Sequence, residues 1–124
     1  MRDPFTYIPP NETTAPKYAA IRDATTAAEH AIGDAFFDHG AGTLDRPALH
    51  AKIGAATKLL HDVIEATCPP CADTSAALRC VRLARMAANE ALVSVVHDER
   101  ARQIAIDQLL LARWQACAAV ALED

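Results

Sequence analysis

Apolar residues recur along this chain at the three- and four-residue intervals of an amphipathic helix, and no stretch shows the two-residue alternation of a strand. Tyr18, Ile21, Ala28, Ile32 and Phe36 form one stripe, and Leu49, Ile53, Ala56, Leu60 and Ile64 form a second. Helix-breaking residues fall between the stripes. Thr14 as N-cap, with Pro16 in the first turn, opens the first predicted helix, and Gly40 and Gly42 end it. Asp45 caps the second, Pro47 sits in its first turn, and Pro69 and Pro70 stop it. From Ala72 to Asp124 there is neither Gly nor Pro, and one helix of that length would reach on the order of 80 Å. A fold-back near His97-Asp98-Glu99 is more economical, with Asp98 as cap and Glu99 in the first turn of a fourth helix. The third helix then buries Leu78, Val81, Ala84, Ala88, Leu92 and Val95, and the fourth buries Ile106, Leu110, Trp114, Cys117 and Ala121.

The predicted fold is all-α: a small bundle of about four helices, over 15–39, 46–67, 72–97 and 98–123, behind an extended N-terminal arm, 1–14, broken by Pro4, Pro9 and Pro10. Between the first two helices there is a faint echo, Ile21, Ala24, Thr25 and Ile32 against Ile53, Ala56, Thr57 and Ile64. Gly54, inside the second helix, costs on the order of 1 kcal/mol relative to Ala, so close approach by a neighbouring backbone is expected there.

Composition adds an expectation about assembly. A chain of 124 residues has room for one domain, 1–124. Apolar residues make up 52% of it, yet only 5% are aromatic and alanine dominates the rest. Thin, Ala-rich helices often complete their core across a subunit interface, so a homo-oligomer is expected. The net charge of −4 argues against a nucleic acid polymer as partner. Met1-Arg2-Asp3-Pro4 lacks the start of a signal peptide, and no run reaches the ~18 uncharged apolar residues of a membrane span. A cytoplasmic location, no membrane partner and reduced cysteines are expected accordingly.

Little in the chain suggests chemistry. Cys68-Pro69-Pro70-Cys71 has redox or zinc spacing, but no strand feeds it and no second ligand pair accompanies it, so an interhelical turn is the expected role. The five histidines include no i, i+4 pair, and His61 with Glu65 is the nearest approach to a helical metal clamp. No phosphate loop, nucleophile elbow or acid pair is present, so no catalytic residue, metal or cofactor is expected. Arginine is more informative. Arg79, Arg82 and Arg85 follow at i+3 steps, and two readings stand, a clamp for a phosphorylated small molecule or a solvated face with acidic neighbours. Lys17 and Arg22 form a second basic spot beside Tyr7. Tyr7 either supplies an aromatic surface for a nucleotide base or, together with Phe5, docks the arm.

Two stretches carry a family resemblance. Phe5-Thr6-Tyr7-Ile8-Pro9-Pro10 followed by Lys17-Tyr18-Ala19-Ala20-Ile21-Arg22-Asp23-Ala24 resembles the opening of the phage anti-CBASS and anti-Thoeris sponges. Cys68-Pro69-Pro70, Ser75-Ala76-Ala77-Leu78-Arg79 and Ala84-Arg85-Met86-Ala87-Ala88-Asn89-Glu90-Ala91 are similar to their closing hairpin helix. The resemblance covers about half the chain. It implies a non-enzymatic homo-oligomer, a dimer or hexamer, that sequesters cyclic nucleotide signals of bacterial immunity in the host cytoplasm. It places the base on Tyr7 and the phosphate on Arg22, and a second pocket on Arg79 and Arg82. This chain departs from the pattern over 33–49, which resembles an insertion, after Val96, and at Ala87, where the family has a large aromatic. The competing class is a small helical phage or prophage structural or protein-interaction module without a nucleotide ligand.

Overall fold

A turn capped by Asn11 leads into the first helix. In the computed structural model, which describes residues 9–40, 46–93 and 99–121, the Asn11 side-chain oxygen accepts hydrogen bonds from the backbone N–H groups of Thr13 and Thr14, at 2.8 and 3.0 Å. The Thr14 hydroxyl in turn accepts from the Asn11 N–H at 3.0 Å, and the Ala15 N–H reaches the Asn11 carbonyl at 2.9 Å. This reciprocal pattern is a capping box around the turn that leads into the first helix; Thr14 itself stands at the predicted cap position, directly before Ala15, and its carbonyl accepts from the Tyr18 N–H at 3.0 Å. Pro16 lies in the first turn of the helix, as predicted.

The described residues form four helices: α1 (Ala15–Gly40), α2 (Arg46–Thr67), α3 (Ala72–Val93) and α4 (Glu99–Ala121). The fold is all-α, as the periodicity predicts, with no strand among the described residues. The predicted caps Asp45 and Asp98, the core position Val95 and arm residues 1–8 lie outside the described residues.

Side-chain contacts fix the directions. Asp34 of α1 meets Lys52 of α2 at 3.5 Å, His50 of α2 is hydrogen-bonded to Asn89 of α3 at 2.8 Å, and Cys80 of α3 donates to Gln115 of α4 at 3.2 Å. The Arg102 guanidinium of α4 lies 5.4 Å from the Phe36 ring centroid of α1. Each contact pairs an early position on one helix with a late position on its neighbour. Successive helices are therefore antiparallel, and α4 returns beside α1 to close the ring.

The centre is filled by Ile21, Ile32, Ile53, Leu60, Ile64, Leu92 and Leu109, each 2% exposed or less. Each such side chain contributes about 1.5–3 kcal/mol of transfer free energy. The α3–α4 seam is different. Ala77, Ala84 and Ala91 on α3 and Ala105, Ala112 and Ala119 on α4 recur at seven-residue intervals, and each is 1% exposed or less. Methyl against methyl lets helix axes approach to about 8 Å, the short end of the usual range, so that contacts near the backbone replace those of large side chains.

That seam overturns the predicted core of α4. The buried residues are Ala101, Ala105, Leu109, Ala112, Ala116, Ala119 and Val120, not Ile106, Leu110, Trp114, Cys117 and Ala121. Ile106 and Cys117 pack at the margin, and Trp114 is 65% exposed. Burial follows the fit to the alanines of α3, so the small row turns inward and the bulky row outward. On the other helices the predicted stripes are buried, with Tyr18, Ala56 and Leu78 at their edges.

The echo between α1 and α2 has a structural counterpart. Thr25 and Thr57, both buried, each donate a hydroxyl to the carbonyl one turn back, Ile21 at 2.7 Å and Ile53 at 2.8 Å, which satisfies a polar group inside the core. Gly54 is a correction: a Cβ placed there meets no atom within 4 Å, so no backbone crowds it. Gly54→Ala is accordingly expected to raise unfolding stability by about 1 kcal/mol in a urea titration, because the glycine costs backbone entropy for no packing gain. By length and composition alone α4 could cross a membrane, with a mean hydropathy of 1.2 over its most apolar window, and 33% of that window is buried inside the bundle.

Candidate functional site

Two of the grooves between neighbouring helices are lined by basic residues among those described. The first lies where the start of α1 passes the end of α4. Its volume is about 590 Å³, and Pro10, Tyr18, Ala19 and Arg22 face Arg113, Trp114, Cys117 and Ala121 across it. It is mostly apolar, with two guanidinium groups at its wall. Arg22 is exposed and shares its charge with the adjacent Asp23 carboxylate at 3.3 Å. Arg113 forms no ion pair among the described residues. The volume falls within the roughly 300–1,000 Å³ of small-molecule sites. Two aromatic rings and two forked cations together suit a ligand with a planar face and an anionic group.

The second groove, of about 550 Å³, separates α2 from α3 and is lined by Gly54, Thr57, Lys58, His61, Asp62, Arg82 and Arg85 among others. Lys58 holds Asp62 at 2.7 Å. That contact draws the Asp62 carboxyl below the usual range and pushes the Lys58 ammonium above its own. Arg82 and Arg85 have no acidic neighbour in ion-pair range among the described residues. This groove offers charge without an aromatic surface.

The residues singled out from sequence therefore do not form one site. Arg22 lines the first groove and Arg82 the second, while Arg79 is exposed and lines neither. Lys17 is half-buried and close enough to Cys68 to favour its thiolate, five residues and about 140° round the helix from Arg22. Tyr7 lies outside the described residues. Sequence reasoning missed Arg113 and Trp114 by assigning Trp114 to the core. An arginine beside the chain's one tryptophan was the available signal.

Cys68-Pro69-Pro70-Cys71 is the α2–α3 connection. The Thr74 hydroxyl donates to the Pro69 carbonyl at 2.6 Å, and the buried Cys68 thiol donates to the Ala116 carbonyl of α4 at 3.5 Å, which ties the turn to the bundle. All four cysteines are free. Burial pushes the thiols of Cys68, Cys80 and Cys117 up from their ordinary value. The stability gained from keeping them neutral is present below the ordinary thiol range and lost as pH rises through the raised values. Titration with an aromatic disulfide at pH 8 is expected to show one fast thiol, the exposed Cys71, a slower one, the half-buried Cys117 in the α1–α4 groove, and two, the buried Cys68 and Cys80, that react only on unfolding.

On α2, potential ligand atoms of His61, Asp62 and Glu65 lie within 4.8 Å of one another, but Asp62 is already committed to Lys58. Comparison with models of known protein families, with characterised proteins and with solved structures finds no match to this chain.

Proposed function

We propose that this chain binds a cyclic nucleotide messenger of bacterial anti-phage defence, a cyclic dinucleotide or a cyclic ADP-ribose type molecule, and sequesters it unchanged, as a homo-oligomer in the cytoplasm of the host cell. One observation carries the reading: the α1–α4 groove sets Arg22 and Arg113 beside Tyr18 and Trp114. A nucleotide needs a flat apolar surface for its base and a cation for its phosphate, and the groove supplies both kinds of group. The resemblance of the opening segment to the phage sponges points to the same region, because Arg22 is the position it assigns to the phosphate. Sequestration requires affinity and a fixed pocket, with no nucleophile or acid–base pair.

A thermal-shift screen against cyclic di- and trinucleotides and cyclic ADP-ribose isomers, with linear mononucleotides as controls, tests this. Ligand at a hundred times its Kd stabilises the folded state by about 2.7 kcal/mol, a shift of several degrees in Tm. The proposal predicts such a shift for a cyclic ligand, and its absence across the panel overturns it. A second reading, a protein-interaction module without a nucleotide, is favoured by the large apolar side chains exposed on α3 and α4, Leu83, Met86, Ile104 and Leu111.

A further inference from the structure

Outside both grooves, α3 carries a second seam. Ala72, Ala76, Arg79, Leu83, Met86 and Glu90 follow one another at alternating steps of four and three residues, the spacing of a coiled-coil contact line. At about 100° per residue, Arg79, Leu83, Met86 and Glu90 fall within an arc of about 60°, turned away from the alanines that face α4. Leu83 is 41% and Met86 60% exposed. Neither Arg79 nor Glu90 has an ion-pair partner among the described residues. Two large apolar groups thus sit at the centre of an exposed stripe, with a cation about six residues below and an anion about six above.

This arrangement is complementary to itself in one orientation only. If a second α3 packs antiparallel about a two-fold axis passing between positions 84 and 85, Leu83 meets Met86 of the second copy, and Arg79 meets Glu90 of the second copy, twice over. A parallel pairing would set Arg79 against Arg79 and Glu90 against Glu90. Leu111 widens the apolar patch: it is 38% exposed and lies one turn from Gln115, which meets Cys80 one turn below Leu83. We propose that two copies of this chain associate through the outward face of α3, antiparallel, with Leu83–Met86 contacts at the centre flanked by Arg79–Glu90 ion pairs. The proposal rests on α3 alone and is independent of any ligand in the grooves.

Charge reversal tests it with the whole protein. By sedimentation velocity the unmodified chain is expected to be a dimer or an even-numbered assembly of dimers, with R79E and E90R each raising the dimer dissociation constant by about tenfold. The double variant R79E/E90R restores the original affinity, because both ion pairs re-form with their signs exchanged. A mixture of R79E with E90R gives a heterodimer in preference to either homodimer. All four positions are exposed, so circular dichroism should show unchanged helix content in each variant. A monomer at all concentrations, or a double reversal no stronger than the single ones, overturns the proposal.

Discussion

Ala112→Leu is expected to lower unfolding stability by about 3 kcal/mol, the upper end of the range for overpacked cores, and to lower Tm by roughly 10 °C. Ala112 is 0% exposed, midway along the α4 series that faces Ala77, Ala84 and Ala91, so a larger side chain forces the two helices apart along their length. Ala27→Leu, at an exposed position of α1, adds the same atoms and is expected to change stability by less than about 0.5 kcal/mol. Chemical denaturation of the two variants side by side separates close helix packing from any general effect of added hydrophobicity. Equal losses would mean that the alanine seam has no special role.

The second large effect concerns the α1–α4 groove. Trp114→Ala and Arg113→Ala are each expected to weaken cyclic nucleotide binding by about 5- to 150-fold, since stacking of one base on an aromatic ring contributes roughly 1–3 kcal/mol and a charge-assisted hydrogen bond a similar amount. Trp114 is 65% exposed, so its removal leaves the core intact and the melting temperature of the free protein nearly unchanged. Arg82→Ala, in the α2–α3 groove, serves as the comparison. Calorimetric titration of the three variants assigns the ligand to one groove, and a loss confined to Arg82→Ala would move the site to the other.

The helices were legible because proline, glycine and capping residues punctuate the chain, and because Ile21, Ile32, Ile53, Leu60 and Ile64 leave no doubt about the inward faces of α1 and α2. The inward face of α4 was not. A pattern reading weights side chains by size and so favours Trp114 and Leu110, whereas against an alanine-lined helix the available space selects Ala105, Ala112 and Ala119. The same physics explains the missed half of the groove, since Trp114 is free for a ligand only because the seam excludes it. The cap at Thr14 was legible too, whereas the turn that Asn11 closes ahead of it shows only in the hydrogen bonds. Arg22 was legible as a binding candidate from its place near the start of α1, but its distance from Arg82 depends on how the helices are arranged around the ring.

Binding without turnover is the central claim, and one measurement addresses both halves. The purified protein is incubated with each cyclic nucleotide, passed through a desalting column and heat-denatured, and the released small molecules are identified by mass spectrometry. Recovery of an intact cyclic nucleotide, in proportion to the protein and lost with Trp114→Ala, is the predicted result. Recovery of none, or of a linear hydrolysis product, would contradict the account.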